Sequence, residues 1–191
     1  MATSFGCANV IGSATDPTGR IEGDKPVTKT CIRAALIGAA ILGPSAAAHA
    51  ALSAPEFVAK AGASDLYETK SSKLAMTSIN AGVRKFEHEM VTDHTKSTAM
   101  VKAAAIKSGV HVKLPVLNGE QKSDLAALTA ADGAARDRLY VQQQTESHQA
   151  ALELMQDETT TGDKPALKTA AGKIVPVVQR HIEMLNAMPP A

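Results

Sequence analysis

From residue 54 onward the chain repeats one pattern. Apolar and small residues recur at alternating intervals of three and four, the period of a helix face. Phe57, Ala61, Ser64, Glu68, Ser71 and Ala75 form such a stripe over 54–78. Pro55 falls in its first turn, where a missing N–H costs nothing. The pattern breaks at Ser78-Ile79-Asn80 and resumes over 81–108 with Val83, Glu87, Met90, His94, Ser97, Val101 and Ala104. Gly109 suits a helix stop, and "HVKLP" reads as an extended connector. Asn118, with Gln121 three residues on, is a capping box and predicts a short helix over 119–131. A third long stripe, Tyr140, Gln144, His148, Ala151 and Met155, covers 134–159. "TTTGDKP" is a turn, with Asp163 as N-cap and Pro165 in the first turn of the next helix. That helix, 165–188, carries Leu167, Ala170, Ile174, Val177, His181, Met184 and Met188. Pro176 inside it should press on the Gly172 carbonyl and kink it. No segment alternates with a period of two. The expected fold is all-α: an antiparallel four-helix bundle with one extra short helix between long helices two and three. It forms a single domain over 51–191.

Residues 1–50 follow another rule. Lys25, Lys29 and Arg33 precede an apolar run from Ala34 to Leu42, Pro44 breaks it, and Ala48-His49-Ala50 follows. That order is a secretory signal with cleavage at Ala50/Ala51. The run is too short for a permanent membrane span. The Gly-rich stretch before it has no period, and translation starting near Val27 would leave a signal of ordinary length. Both cysteines, Cys7 and Cys31, precede the cleavage point, so the mature chain has no disulfide and no thiolate ligand. The protein is expected in the periplasm or outside the cell.

Composition narrows the functions. The 191 residues are 45% hydrophobic but only 3% aromatic, and the net charge is +1. Much of the apolar content is Ala, which favours close-packed helices. Neither net charge nor any basic run with aromatics recruits nucleic acid. No Gly-x-Ser-x-Gly elbow, phosphate loop or cysteine zinc motif occurs. An ordinary hydrolase or nucleotide enzyme is therefore not expected.

The candidate chemistry lies on the stripes themselves. Each long helix after the first places one histidine inward, His94, His148 and His181, and the first places Glu68. At a rise of about 1.5 Å per residue, the two members of each hairpin should differ in height by only about 5 to 6 Å. The arithmetic leaves the register between hairpins open. Three imidazoles and a carboxylate suit iron, zinc, copper or manganese. Asp93, Glu87 and Tyr140 are candidates to support them, Asp93 or Glu87 as a further ligand or as the group that fixes a tautomer. The competing expectation is a metal-free polar network. Val91 and Val178, three residues before His94 and His181, replace the glutamate of a Glu-x-x-His di-iron pair. The methionines read as flexible core filler. His88 and His111 fall off the stripes and should be solvated.

Four segments, "EFVAKAGASDLYETKSSKLA", "VRKFEHEMVTDHTKS", "DRLYVQQQTESHQAALEL" and "LKTAAGKIVPVVQRHIEML", resemble successive parts of the bacterial exported family called domain of unknown function 4142. The resemblance covers about 55–188. Its most specific elements are Met-Val-x-Asp-His at 90–94 and Pro-x-x-x-x-His at 176–181. It implies a ferritin-like fold, matches Glu68 and His148 to family positions, and supplies no reaction. Arg136 departs from it, standing where the family tends to have an aromatic residue. The expected function is a non-enzymatic binding or envelope-stress protein, contacting a small ligand or envelope components. The alternative is a metalloprotein that stores metal or handles oxidants through the four inward residues. A third class is a structural partner that docks by its outer helix faces. The oligomeric state is open.

Overall fold

The structure is a computed structural model and describes residues 51–188. The segment expected to be a signal sequence, both cysteines and the upstream extension lie outside the described residues. Five helices follow in order: α1 (Ala54–Ala75), α2 (Ala81–Lys107), α3 (Gly119–Ala130), α4 (Gly133–Thr161) and α5 (Pro165–Asn186). No strand occurs among the described residues. None of the described helices is long and apolar enough to cross a membrane.

Local chemistry sets the boundaries. Ser53 opens α1, its backbone N–H donating to the Glu56 carboxylate at 3.0 Å. Asn80 caps α2 by accepting from the backbone of Gly82 and Val83. Asn118 and Gln121 cap α3 reciprocally, as expected from their spacing. At the end of α2, Gly109 adopts φ 69°. The Val110 N–H then reaches the Ala105 carbonyl and the Gly109 N–H reaches Ile106. This is a Schellman closure, with Val110 and Ala105 buried in one apolar cluster. The cap of α5 differs from expectation. Lys164 is the N-cap and Asp163 pairs with it instead, because α4 runs on to Thr161 and leaves only three residues for the turn. Pro176 is exposed and α5 continues through it.

The long helices form a ring of neighbours: α1 packs on α2, α2 on α5, α5 on α4 and α4 on α1. Each pair is antiparallel. In α1 and α2, Asp65 meets His94; in α4 and α5, His148 meets His181; across the hairpins, Ser72 meets Tyr140 and Asp93 meets Arg180. The short α3 lies against α1 and α4, anchored by buried Leu128. Arg136 ties one end together. Its guanidinium donates to the Ala131 carbonyl and to Thr77 past the end of α1, so a cation sits where helix carbonyls are left over.

All seven stripe positions of α2 and all five of α4 are buried. In α1 Ser64 is only half-buried and in α5 Val177 and Met184 are too, while Val178 and Leu185 go inside. The interior is layered. One apolar cluster runs from Phe57, Ala61 and Val101 to Met155, Ile174 and Val178. A second holds Ala75, Phe86, Met90, Leu128, Tyr140 and Leu185. Between them lies a buried polar layer containing Asp65, Glu68, Ser71, His94, Gln144, His148 and His181.

Candidate functional site

The polar layer brings the three predicted histidines together. Ring centroids lie 5.5 Å apart for His94 and His148, 5.6 Å for His94 and His181, and 5.4 Å for His148 and His181. One nitrogen of each can be chosen so that all three lie within 4.8 Å of one another. The register between hairpins, which spacing left open, is therefore nearly level.

Each imidazole has one nitrogen committed to an acceptor. His94 Nδ1 lies 2.8 Å from Asp65 Oδ1, His148 Nδ1 lies 2.8 Å from the Gln144 carbonyl, and His181 Nε2 lies 3.3 Å from Asp93 Oδ2. Those partners can only accept, so the proton sits on the committed nitrogen of each neutral ring. In the neutral rings the remaining nitrogens, His94 Nε2, His148 Nε2 and His181 Nδ1, carry lone pairs, and protonation, which the raised pKa favours for His94, would make its Nε2 a donor. His94 Nε2 is buried without a partner. With those tautomers His148 Nε2 and His181 Nδ1, 3.3 Å apart, face each other as two lone pairs; the other tautomer of either ring would put a proton between them and turn a lone pair onto the Gln144 carbonyl or the Asp93 carboxylate. Phe86 closes the layer from the second apolar cluster, its ring 6.0 Å from His181 and 6.3 Å from His148.

Burial and charge divide the three rings. Burial holds the pKa of His181 down to about 3, helped by His148 and His94 and opposed by Asp93. His148 is also lowered, by burial first, against the pull of Glu68. For His94 burial pushes down, but the Asp65 hydrogen bond and the charges of Glu68, Asp65 and Asp93 prevail, and its pKa is raised.

The other expected residues divide. Glu68 is fully buried beside the cluster, Oε1 3.9 Å from His148 Nδ1, and neither oxygen has a hydrogen-bond partner. It adjoins the three rings but is not one of the 4.8 Å group. Asp93 partners His181 and also accepts from Arg180 at 2.6 Å. Glu87 and Tyr140 do not support the histidines. The Tyr140 hydroxyl is 2.8 Å from Ser72 Oγ. Glu87 is buried without a partner, and burial, then the charge of Asp137, raises its pKa to about 7 against the opposing Arg84. Both lie on the inward stripe but about two turns from the histidine on their own helix, a rise of ~10 Å or more. His88 and His111 are exposed, as expected.

Asp65 was missed. It also accepts from Thr98 at 2.9 Å, so it holds both His94 and the next turn of α2. The hairpin arithmetic contained the signal: the position mirroring His94 across the turn falls near 64–65, one residue off the stripe through Ser64.

A family model, Domain of unknown function (DUF4142), matches residues 41–188. The chain belongs to the DUF4142 family. No curated protein matches it. Among solved structures, the DUF4142 chain is similar to a DUF305 fragment from Deinococcus radiodurans, with a TM-score of 0.61 and 13% identity over 70% of this chain and 92% of that one. At that identity the likeness concerns the helical fold alone.

Proposed function

We propose that this DUF4142 protein is an exported, periplasmic, ferritin-like four-helix bundle that binds one transition-metal ion through His94, His148 and His181, without catalysing a reaction. The observation that carries this reading is the convergence of three buried imidazoles, each held by an acceptor on one nitrogen and together offering one nitrogen each within 4.8 Å of the others. Metal-binding histidines are held this way, the outer acceptor setting the tautomer and raising ligand basicity. A polar network for stability alone would pair donors with acceptors; two facing lone pairs and an orphaned third nitrogen do the reverse. Imidazole ligands suit zinc, copper, iron or nickel. Glu68 is a buried carboxyl next to the cluster, 3.9 Å from His148 Nδ1 with no hydrogen-bond partner of its own, and is the candidate fourth ligand. Asp93 and Glu89 line the outer side of His181, within 4.8 Å of it and of each other, and offer a way in from solvent. Arg180 bridges both carboxylates there, 2.6 Å from Asp93 and 3.2 Å from Glu89.

Untagged protein purified from its own host should carry close to one equivalent of a transition metal by mass spectrometry. His148→Ala, which removes a ligand but leaves the outer carboxylates, should lose it. Metal-free wild type that fails to bind added zinc, copper, iron or nickel ions tightly in vitro would overturn the reading.

A further inference from the structure

Phe86, Met90 and His94 stand on successive turns of one buried face of α2. At about 1.5 Å per residue, Phe86 and His94 are about 12 Å apart along the helix. Both nevertheless reach the same two rings. Phe86 lies 6.0 Å from His181 and 6.3 Å from His148, and His94 lies 5.6 Å and 5.5 Å from them. The His148–His181 pair is therefore bracketed by those two side chains, at the level of Met90. Met90 is 0% exposed, so its thioether is directed into the bundle. Buried methionines serve as flexible filler in most cores. This one stands opposite the two rings whose Nε2 and Nδ1 atoms approach each other at 3.3 Å.

We infer, resting on the metal site proposed above, that the Met90 thioether is a further donor beside the three histidines and that the ion they hold is copper(I). The donor chemistry makes the choice. Imidazole nitrogens take zinc, copper, iron or nickel alike, whereas a thioether selects copper(I). Copper is the metal common to both donor types. Among the described residues no carboxylate joins the 4.8 Å group of the three rings. Glu68 approaches His148 at Nδ1, the nitrogen that also meets the Gln144 carbonyl, and would serve a harder ion such as zinc. Met90 comes from the other direction. It belongs to the apolar cluster of Phe86 and Leu185, so the sulfur meets the rings from a side with no competing oxygen donor in that cluster except the Tyr140 hydroxyl, which is paired with Ser72.

The test is anaerobic titration of the metal-free mature chain with copper(I) against bicinchoninate, a coloured competing chelator. The protein should withdraw one equivalent and keep it when zinc ion is added in tenfold excess. X-ray absorption at the copper edge should show a sulfur neighbour beside nitrogens. Met90→Leu is close in volume and should fold. It should lose the sulfur neighbour and weaken copper(I) about tenfold, with zinc affinity unchanged. Met155→Leu, equally buried but two turns past His148 in the other apolar cluster, should bind copper(I) as wild type does. Displacement of copper(I) by zinc, a copper edge without sulfur, or equal copper(I) affinity in Met90→Leu and wild type would each overturn the assignment. One equivalent of zinc bound with no preference for copper(I) overturns this inference alone; failure to bind any of these ions overturns the metal site as well.

Discussion

The Asp65–His94 contact should be a measurable coupling in the metal-free protein. The two groups meet at 2.8 Å with both side chains nearly excluded from solvent. Replacing His94 by Ala removes this hydrogen bond and leaves Asp65 with Thr98 as its side-chain partner. Hydrogen bonds to charged groups are worth about 1.5 to 3 kcal/mol, and removing one partner of a buried pair adds the desolvation cost of the other. The single variant His94→Ala should therefore lose about 2 to 4 kcal/mol. Asp65→Ala should lose a similar amount, because it strands the buried His94 Nδ1–H, while the exposed Thr98 hydroxyl keeps the His94 carbonyl as an acceptor. In the double variant most of the second loss disappears, giving a coupling of about 1.5 to 3 kcal/mol between contacting residues. Urea unfolding of all four proteins with chelator present measures it, provided the slopes agree. His88→Ala, on the exposed face, should stay within about 0.5 kcal/mol of wild type. Strictly additive losses from Asp65 and His94 would refute the pair, and a His94 loss no larger than that of His88 would refute its burial.

Three further outcomes follow from other parts of the molecule. Glu87 has a folded pKa near 7 against a usual value of 4.5; the folded state binds that proton more tightly, so stability is unaffected below about pH 4.5, falls as pH rises through about 7, and is flat above. Glu87→Gln should remove that fall, gaining on the order of 1 to 3 kcal/mol at pH 8 and little at pH 4.5, as read by urea midpoints across pH. Arg180→Ala frees Asp93 and Glu89, and stopped-flow zinc uptake should become severalfold faster with unchanged stoichiometry; equal or slower uptake would remove Arg180 from the entry path. Gly109→Ala forces a side chain into a left-handed position at φ 69° and should cost about 1 kcal/mol by thermal or urea unfolding, whereas a neutral substitution would contradict the closure of α2.

The helices and their inward faces were legible because burial in a helix has a period, and the stripes of α2 and α4 kept it over their full length. The faces of α1 and α5 drifted. A straight helix of 3.6 residues per turn walks away from a strict seven-residue repeat, which moved burial from Val177 to Val178 and from Met184 to Leu185. The same drift hid Asp65. Its role depends on where the α1–α2 turn sets the mirror plane, a tertiary quantity that stripe counting lacks. Glu87 and Tyr140 were assigned to the histidines because they share a face with them; sharing a face gives direction but not height. Whether three inward histidines meet depends on the register of two hairpins, which is fixed by the layered apolar clusters on either side.

Those histidines come from α2 in one hairpin and from α4 and α5 in the other. An ion held by all three would be a crosslink between the two halves of the molecule. With Asp93, Glu89 and Arg180 lining the way out between α2 and α5, its residence time would follow local opening of that seam rather than ligand exchange at an open surface. The backbone amides around His94 and His181 would then exchange with deuterium on the same clock as the ion is released, and both would slow together as the hairpin interface is strengthened.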